Sequence, residues 1–262
     1  MSEVLLDVDA RGVATVTLNR PEVNNAYDAA LISGLLKGMD SLEKTPGLRV
    51  VVLKGNGKHF QAGADLKWIR GVAPKSQADN EKASRDTGTA VRRLNELPVP
   101  TVALVQGGCF GGGTGVIAAC DVVIAADNAL FSIAETRWGL MAGIILPQLA
   151  DAIGARQVRR YALTGERFSA EEARRIGLVH EVVPLAELAA AGERVVDQLL
   201  QNAPEANAVT KARALQFAFG RMTDETFDSL VVEHAAKRRS DEAAEGLASF
   251  AEKRPATWYR KA

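Results

Sequence analysis

The chain has 262 residues, 47% of them hydrophobic and 24% charged, a composition that suits a folded protein with one sizeable core. Its 32 Lys and Arg balance 32 Asp and Glu, so it lacks the basic excess that nucleic acid or an anionic membrane would select. Two cysteines make no disulfide framework and the start MSEVLLDVDARG has no apolar signal core, so a reduced cytoplasmic setting is expected.

Val4–Val8 and Val13–Leu18 run apolar around Asp9-Ala10-Arg11-Gly12, the pattern of a β-hairpin. Asn19-Arg20-Pro21 ends it. A helix is predicted from about Asp28 to Lys44, with Asp28 as N-cap. Arg49–Lys54 (RVVVLK) reads as a buried strand and Gly55-Asn56-Gly57 as a turn. Phe60–Leu66 turns through small residues into a helix headed by Asp65. Pro74–Glu96 is polar and helical, with apolar positions spaced for one buried face. Thr101–Val105 is a short β-branched strand, followed by glycines at 107, 108 and 111–113, a short helix and a strand ending near Asp127.

Val116–Ala134 is apolar for nearly a membrane-spanning length. Asp121, Asp127 and Asn128 interrupt it, so helix plus buried strands is the better reading. Leu130–Ile133 is a strand and 155–164 a helix stopped by Gly165. Ser169 with Glu172 forms a capping box for the next helix, and Gly177–Val183 is a last strand. From Pro184 onward the pattern is helical and amphipathic, with breaks near Pro204 and Gly220. The whole is α/β with parallel crossovers, a core over 1–200 and a helical region over 201–262.

Two glycine turns carry the chemistry. A helix N-terminus holds unpaired N–H groups and partial positive charge. Glycines at 111–113 let a small anion or developing oxyanion approach those groups closely. Phe60-Gln61-Ala62-Gly63-Ala64-Asp65-Leu66 repeats the logic and offers the N–H of Ala64. Two such donors converging on one oxygen would make a backbone oxyanion hole. Glu135 follows an apolar strand. Partial burial there would raise its pKa and suit it to moving a proton at carbon.

Phe60-x-Ala-Gly-Ala-Asp-Leu66, then Gly107-x-x-x-Gly111-Gly112-Gly113 and Cys120-Asp121, resembles the crotonase (enoyl-CoA hydratase/isomerase) superfamily. Asn19-Arg20-Pro21, Leu163-Thr-Gly165 and Gly177-Leu-Val179 match it in order, over nearly the whole chain. The resemblance implies a spiral of ββα units with a helical C-terminal region that builds trimers, often paired into hexamers. It implies an acyl-CoA thioester substrate, with coenzyme A arriving as part of it and no separate cofactor. The enolate oxygen is then held by the N–H groups of Ala64 and Gly112, and Glu135 is the general acid/base.

The same resemblance places Ala62 near the CoA adenine, and Leu66, Trp68 and Gly111 beside the substrate. Asp65 joins that set, although as a residue it reads as a helix cap. Phe250 and Lys253, three apart on one helix face, would meet a neighbouring subunit's CoA. Gly115 stands where two-glutamate hydratases carry their second glutamate. With Ala64-Asp-Leu-Lys-Trp68 and Glu135-Thr-Arg-Trp-Gly139, it makes the chain most similar to single-glutamate methylglutaconyl-CoA and isohexenylglutaconyl-CoA hydratases. Arg137 could then meet a substrate carboxylate, the alternative being a surface ion pair.

The expected activity is reversible hydration of a branched or carboxylated 2-enoyl-CoA. Its rivals are Δ3–Δ2 enoyl-CoA isomerisation and a non-catalytic scaffold or RNA-binding paralogue. Neutral charge argues against RNA, and Glu135 against a dead enzyme. His59 reads as structural, His180 and His234 lie far along the chain from both glycine turns, and Cys109 reads as buried and apolar. No His/Cys/Asp cluster has metal-ligand spacing.

Overall fold

The computed structural model describes residues 2–202, 204–219 and 223–254. β1 (Val4–Val8) and β2 (Val13–Leu18) form the antiparallel hairpin, turned by Gly12 at φ +80°. α1 (Ala29–Leu42) starts where the Asp28 carboxylate accepts the Leu31 N–H at 2.9 Å. β3 (Val50–Gly55), α2 (Leu66–Val72) and α3 (Gln77–Glu96) follow. Next come β4 (Thr101–Val105), β5 (Gly108–Phe110) and α4 (Gly112–Ala118), then β6 (Val122–Ala126), β7 (Leu130–Ser132) and α5 (Leu146–Thr164). β8 (Phe168–Ser169), α6 (Ala170–Arg175), β9 (Glu181–Val183) and α7 (Leu188–Leu200) lead to the closing helices. These are α8 (Pro204–Phe219), α9 (Asp224–Arg238) and α10 (Asp241–Ala251).

Six strands order as β1-β2-β3-β4-β6-β9, all parallel after the hairpin, and β5-β7-β8 form a smaller sheet. β4-β5-α4 and β6-β7-α5 are successive strand–strand–helix units. Each gives its first strand to the large sheet and its second to the small one. The preceding unit, β3 to α2, contributes only the single bridge Gln61–Cys109 to the small sheet.

The side chains of the central strands alternate, as a two-residue period requires. Val51 and Leu53 share a core with Leu35 of α1 and Leu94 of α3. Val50 and Val52 share another with Leu188, Ala191 and Val196 of α7. Each such aliphatic side chain contributes about 1.5–3 kcal/mol on full burial, so these strands form a rigid floor. The functional cavity lies on the α1/α3 side of it, where Val16, Val51 and Leu53 line its base.

The closing helices are fastened by a few contacts. Lys211 of α8 reaches the Asp121 carboxylate at 2.8 Å, which also accepts the Thr101 N–H and hydroxyl. Phe227 of α9 packs where Gly88 gives α3 a bare surface. α10 lies against the turn that starts at Glu135. A Cβ on Gly246 would fall 2.2 Å from the Trp138 carbonyl oxygen, and one on Gly139 would fall 2.1 Å from that of Glu242.

Several sequence expectations shift. The turn at 107–113 contains β5, because Gly108–Phe110 pair in parallel with Leu130–Ser132 of β7. α5 begins at Leu146, with Pro147 in its first turn, and Gly154 at φ +71° interrupts it before the predicted 155–164 stretch. The last strand keeps only Glu181–Val183, since the N–H groups of Leu178 and Val179 turn back to the Ala173 carbonyl and cap α6. Ser169 does accept the Glu172 N–H, but the Glu172 carboxylate bonds Arg175 instead of returning to close the box. No helix among the described residues is long and apolar enough to cross a membrane. The expected break near Gly220 falls at residues 220–222, outside the described residues.

Candidate active site

The two glycine loops are zipped together by their backbones. Phe60 N–H donates to Gln106 O at 2.8 Å, Gln61 N–H to Gly108 O at 3.1 Å and Phe110 N–H to Gln61 O at 2.9 Å. Gly63, at φ +83°, lies so close that a Cβ would sit 2.9 Å from Phe110 O. Only glycine fits there. On the far side, Tyr27 N–H donates to Gly63 O and Asp65 N–H to Tyr27 O. Those bonds bracket Ala64, whose own N–H donates to no group among the described residues. Gly112 is the first residue of α4, so its N–H has no partner within the helix, and it takes none outside it among the described residues. Both residues line one cavity of about 370 Å³.

Glu135 enters the same cavity from a 3-10 turn, Glu135–Trp138, just after β7. Gly111, at φ +51°, ties that strand to α4 by donating its N–H to Ser132 O at 2.8 Å. A Cβ on Gly111 would lie 3.1 Å from the Glu135 carboxylate, so glycine is what brings carboxylate and helix N-terminus together. Part of Glu135 reaches the surface, but its Oε2 is enclosed and has no hydrogen-bond partner among the described residues. Burial pushes its pKa up to about 7, only weakly opposed by its own backbone N–H. Among the described residues it is the one carboxylate that lines the cavity.

The sign of that shift makes a stability prediction. Between pH 4.5, the ordinary value, and about 7, the folded chain holds a proton that the unfolded chain has lost. Stability from this group is therefore greatest below pH 4.5 and falls as pH rises to about 7. Glu135→Gln removes the slope. Its unfolding free energy in urea titrations should rise relative to the parent over that window, by an amount on the order of 3 kcal/mol, and level off above it. A difference independent of pH would show the carboxylate to be solvated.

The structure sorts the remaining sequence candidates. Ala62, Leu66 and Trp68 line the cavity, as does Gly111. Trp68 meets Tyr27 edge-on with ring centroids 5.8 Å apart, so it is a wall as well as a packed helix residue. Asp65 does not line the cavity. Its carboxylate accepts the N–H groups of Lys67 at 2.9 Å and Trp68 at 3.4 Å and lies 3.5 Å from Arg20, the work of a helix cap. Arg137 lies at the exposed rim with no ion-pair partner among the described residues, its stem packed over Gly165.

Phe250 is 46% exposed, packs edge-on against Trp138 at 4.5 Å and lines its own chain's cavity. Lys253 does not share a helix face with it. α10 ends at Ala251, and Lys253 follows at φ +53°, exposed and away from the cavity lining. Gly115 opens no room for substrate: a Cβ there would fall 2.3 Å from the Ile145 side chain, which fills the space and lines the cavity in its stead. His59 is structural, its Nδ1 accepting the Gly108 N–H at 2.7 Å. Burial raises the Cys109 thiol well above its usual range and leaves it inert.

Four residues outside the glycine loops are brought to the site by the fold. Tyr27 lies against Gly112, whose Cβ would fall 3.2 Å from the phenol oxygen. Burial pushes that phenol up to about 12, with Arg238 pulling it down and Glu135 pushing it further up. His234 and Arg238, one turn apart on α9, line the same cavity, and Ser84 of α3 stands behind them. The i, i+4 spacing of His234 and Arg238 was readable; that their face of α9 covers α3 was not.

The sequence pattern of the enoyl-CoA hydratase/isomerase family matches residues 9–261. The chain belongs to that family. It is 37% identical to hydroxycinnamoyl-CoA hydratase-lyase of Pseudomonas fluorescens, over 83% of this chain and 78% of that one. It is 32% identical to the mitochondrial Delta(3,5)-Delta(2,4)-dienoyl-CoA isomerase of Dictyostelium discoideum, over 94% and 87%. The crystal structure of an enoyl-CoA hydratase from Mycobacterium avium subsp. paratuberculosis K-10 superposes with a TM-score of 0.86 at 30% identity, covering 99% and 100% of the two chains. The fold is thus the crotonase type with its helical C-terminal region, and membership implies an acyl-CoA thioester as substrate.

Proposed function

We propose that the chain is a 2-enoyl-CoA hydratase that adds water reversibly across C2=C3 of a branched or carboxylated acyl chain. The observation that carries this reading is one cavity holding two unpaired N–H groups, of Ala64 and Gly112, and an enclosed carboxylate, Glu135, with a pKa near 7. The two N–H groups hold the thioester oxygen as negative charge gathers on it. Glu135 takes a proton from water as its oxygen bonds C3, and returns a proton to C2 of the enolate. A pKa near the working pH keeps both protonation states accessible, as a group that both takes and gives requires. Hydration chemistry in the name of the Pseudomonas fluorescens relative is in line with this. Arg137 and Arg167, both exposed at the rim, suit the phosphates of CoA.

The cavity also runs between the sheet and the helices, lined by Leu35, Met39, Val91 and Leu94. That apolar end suits a hydrocarbon arm. Assembly as a homotrimer or homohexamer in the cytoplasm belongs to the same proposal. Its support is apolar surface left on the closing helices, Val209 at 60% and Val232 at 45% exposure. A stable, active monomer by light scattering would count against it.

The second reading is a Δ3–Δ2 enoyl-CoA isomerase. A lone carboxylate is all that a proton shift between carbons needs, and Ile145 rather than a second glutamate fills the space beside Gly115. Oxygen-18 water separates the two. Hydration places labelled oxygen in the product of at least one enoyl-CoA in a panel that includes a glutaconyl type. Clean double-bond migration, with no label from any of them, would replace the hydratase reading with the isomerase one.

A further inference from the structure

Arg238 is 4% exposed, and no carboxylate lies within ion-pair distance of it among the described residues. Its NH2 donates to Ser84 Oγ at 3.0 Å and lies 3.3 Å from His234 Nδ1. Its NH1 is buried with no hydrogen-bond partner among the described residues. Trp68 lies 5.5 Å from the guanidinium carbon, which engages the face of the cation but not its in-plane donors. The C-terminal position on α9 places some negative partial charge nearby, but the last-turn carbonyls take no hydrogen bond from this side chain. A buried arginine without an anion is costly, and arginine does not shed its proton to escape that cost.

The neighbours are arranged to hold this cation rather than neutralise it. Arginine can only donate, and both Ser84 Oγ and His234 Nδ1 lie within reach of its NH2, an arrangement satisfied when Nδ1 also accepts the Ser84 hydrogen at 2.8 Å. Burial, then Arg238, holds the His234 pKa down to about 3, so the ring is neutral. With Nδ1 accepting, the tautomer carries its proton on Nε2, which has no partner among the described residues. Arg238 NH1 and His234 Nε2 are thus two unspent donors on residues that line the cavity. Ser84 and Leu94 stand about 15 Å apart along α3 at the ordinary rise per residue, so this donor pair and the apolar arm lie at opposite ends of one helix face.

We propose that Arg238, set by Ser84 and His234, is the receptor for a carboxylate on the acyl chain of the substrate. The proposal rests on the acyl-CoA reading of the cavity and narrows it to thioesters of dicarboxylic acids. The two donors supply a charge-assisted contact to the carboxylate oxygens, and the missing counter-ion of Arg238 arrives with the substrate. A neutral acyl chain of equal length leaves that buried cation unpaired, which gives the site its selectivity.

Binding of saturated, unreactive thioesters tests this apart from any reaction. Succinyl-, glutaryl- and adipyl-CoA are compared by calorimetry with butyryl-, pentanoyl- and hexanoyl-CoA. At least one diacid thioester should bind on the order of 10- to 100-fold more tightly than its monoacid partner. Arg238→Met, which keeps length and apolar bulk, should erase that gap, so that each diacid thioester binds no more tightly than its monoacid partner. Ser84→Ala, which frees the guanidinium, should narrow the gap and serves if the first variant does not fold. No preference in the parent chain overturns the proposal, as does a preference that survives Arg238→Met. Because no turnover is involved, an isomerase outcome with oxygen-18 water leaves this result standing, and hydration without diacid preference removes it alone.

Discussion

Glu135→Gln lowers turnover by about 10²–10⁴-fold while saturated acyl-CoA binding changes little. The amide keeps the shape of the carboxylate and its place against Gly111, where there is contact but no hydrogen bond to lose at Oε2. What it cannot do is take a proton and give one back. The loss is therefore confined to the transition state, in kcat with KM nearly unchanged. Misfolding cannot mimic this outcome, since removing a carboxylate raised to about 7 should stabilise the chain at neutral pH. Steady-state rates on an active enoyl-CoA, with calorimetry on its saturated analogue, read both halves. A variant within tenfold of the parent would remove Glu135 from the chemistry and send the search to Tyr27, the other titratable group against the helix N-terminus.

The parts of this site that the sequence showed are those set by local backbone rules. Glycine at 63 and 111 marks positive φ and close backbone approach, and both positions hold the site's loops together. Asp28 and Asp65 cap helices where their residue type and position predict. The β-branched runs became the parallel strands. What the sequence hid depends on which surfaces meet across long separations. Arg238 reads as a solvated last-turn cation on an amphipathic helix, and only the packing of α9 on α3 buries it beside Ser84. At Gly115 the missing side chain is visible in the sequence, whereas the Ile145 side chain that fills the space beside it is not. Phe250 and Lys253 looked like one helix face because the nearest breaker in the sequence, Pro255, lies beyond both, whereas the helix ends at Ala251.

Gly112→Pro should cost about 2.7–4 kcal/mol in the barrier beyond whatever Gly112→Ala costs. Proline suits this position in other respects, since it is the first residue of α4, where the fixed φ is helical and no intrahelical bond is lost. Any Cβ here comes within 2.6 Å of the Tyr27 ring, so both variants must push that side chain aside. Only proline also deletes the N–H. The alanine variant therefore carries the steric effect, and the ratio of the two rates isolates the donor, a further loss on the order of 10²–10³-fold in kcat. Tyr27→Ala in both backgrounds removes the collision and should leave that ratio intact. Equal rates for the proline and alanine variants would mean that the Gly112 N–H faces no developing charge. The glycine run would then serve only to let Tyr27 and Glu135 close on the helix start.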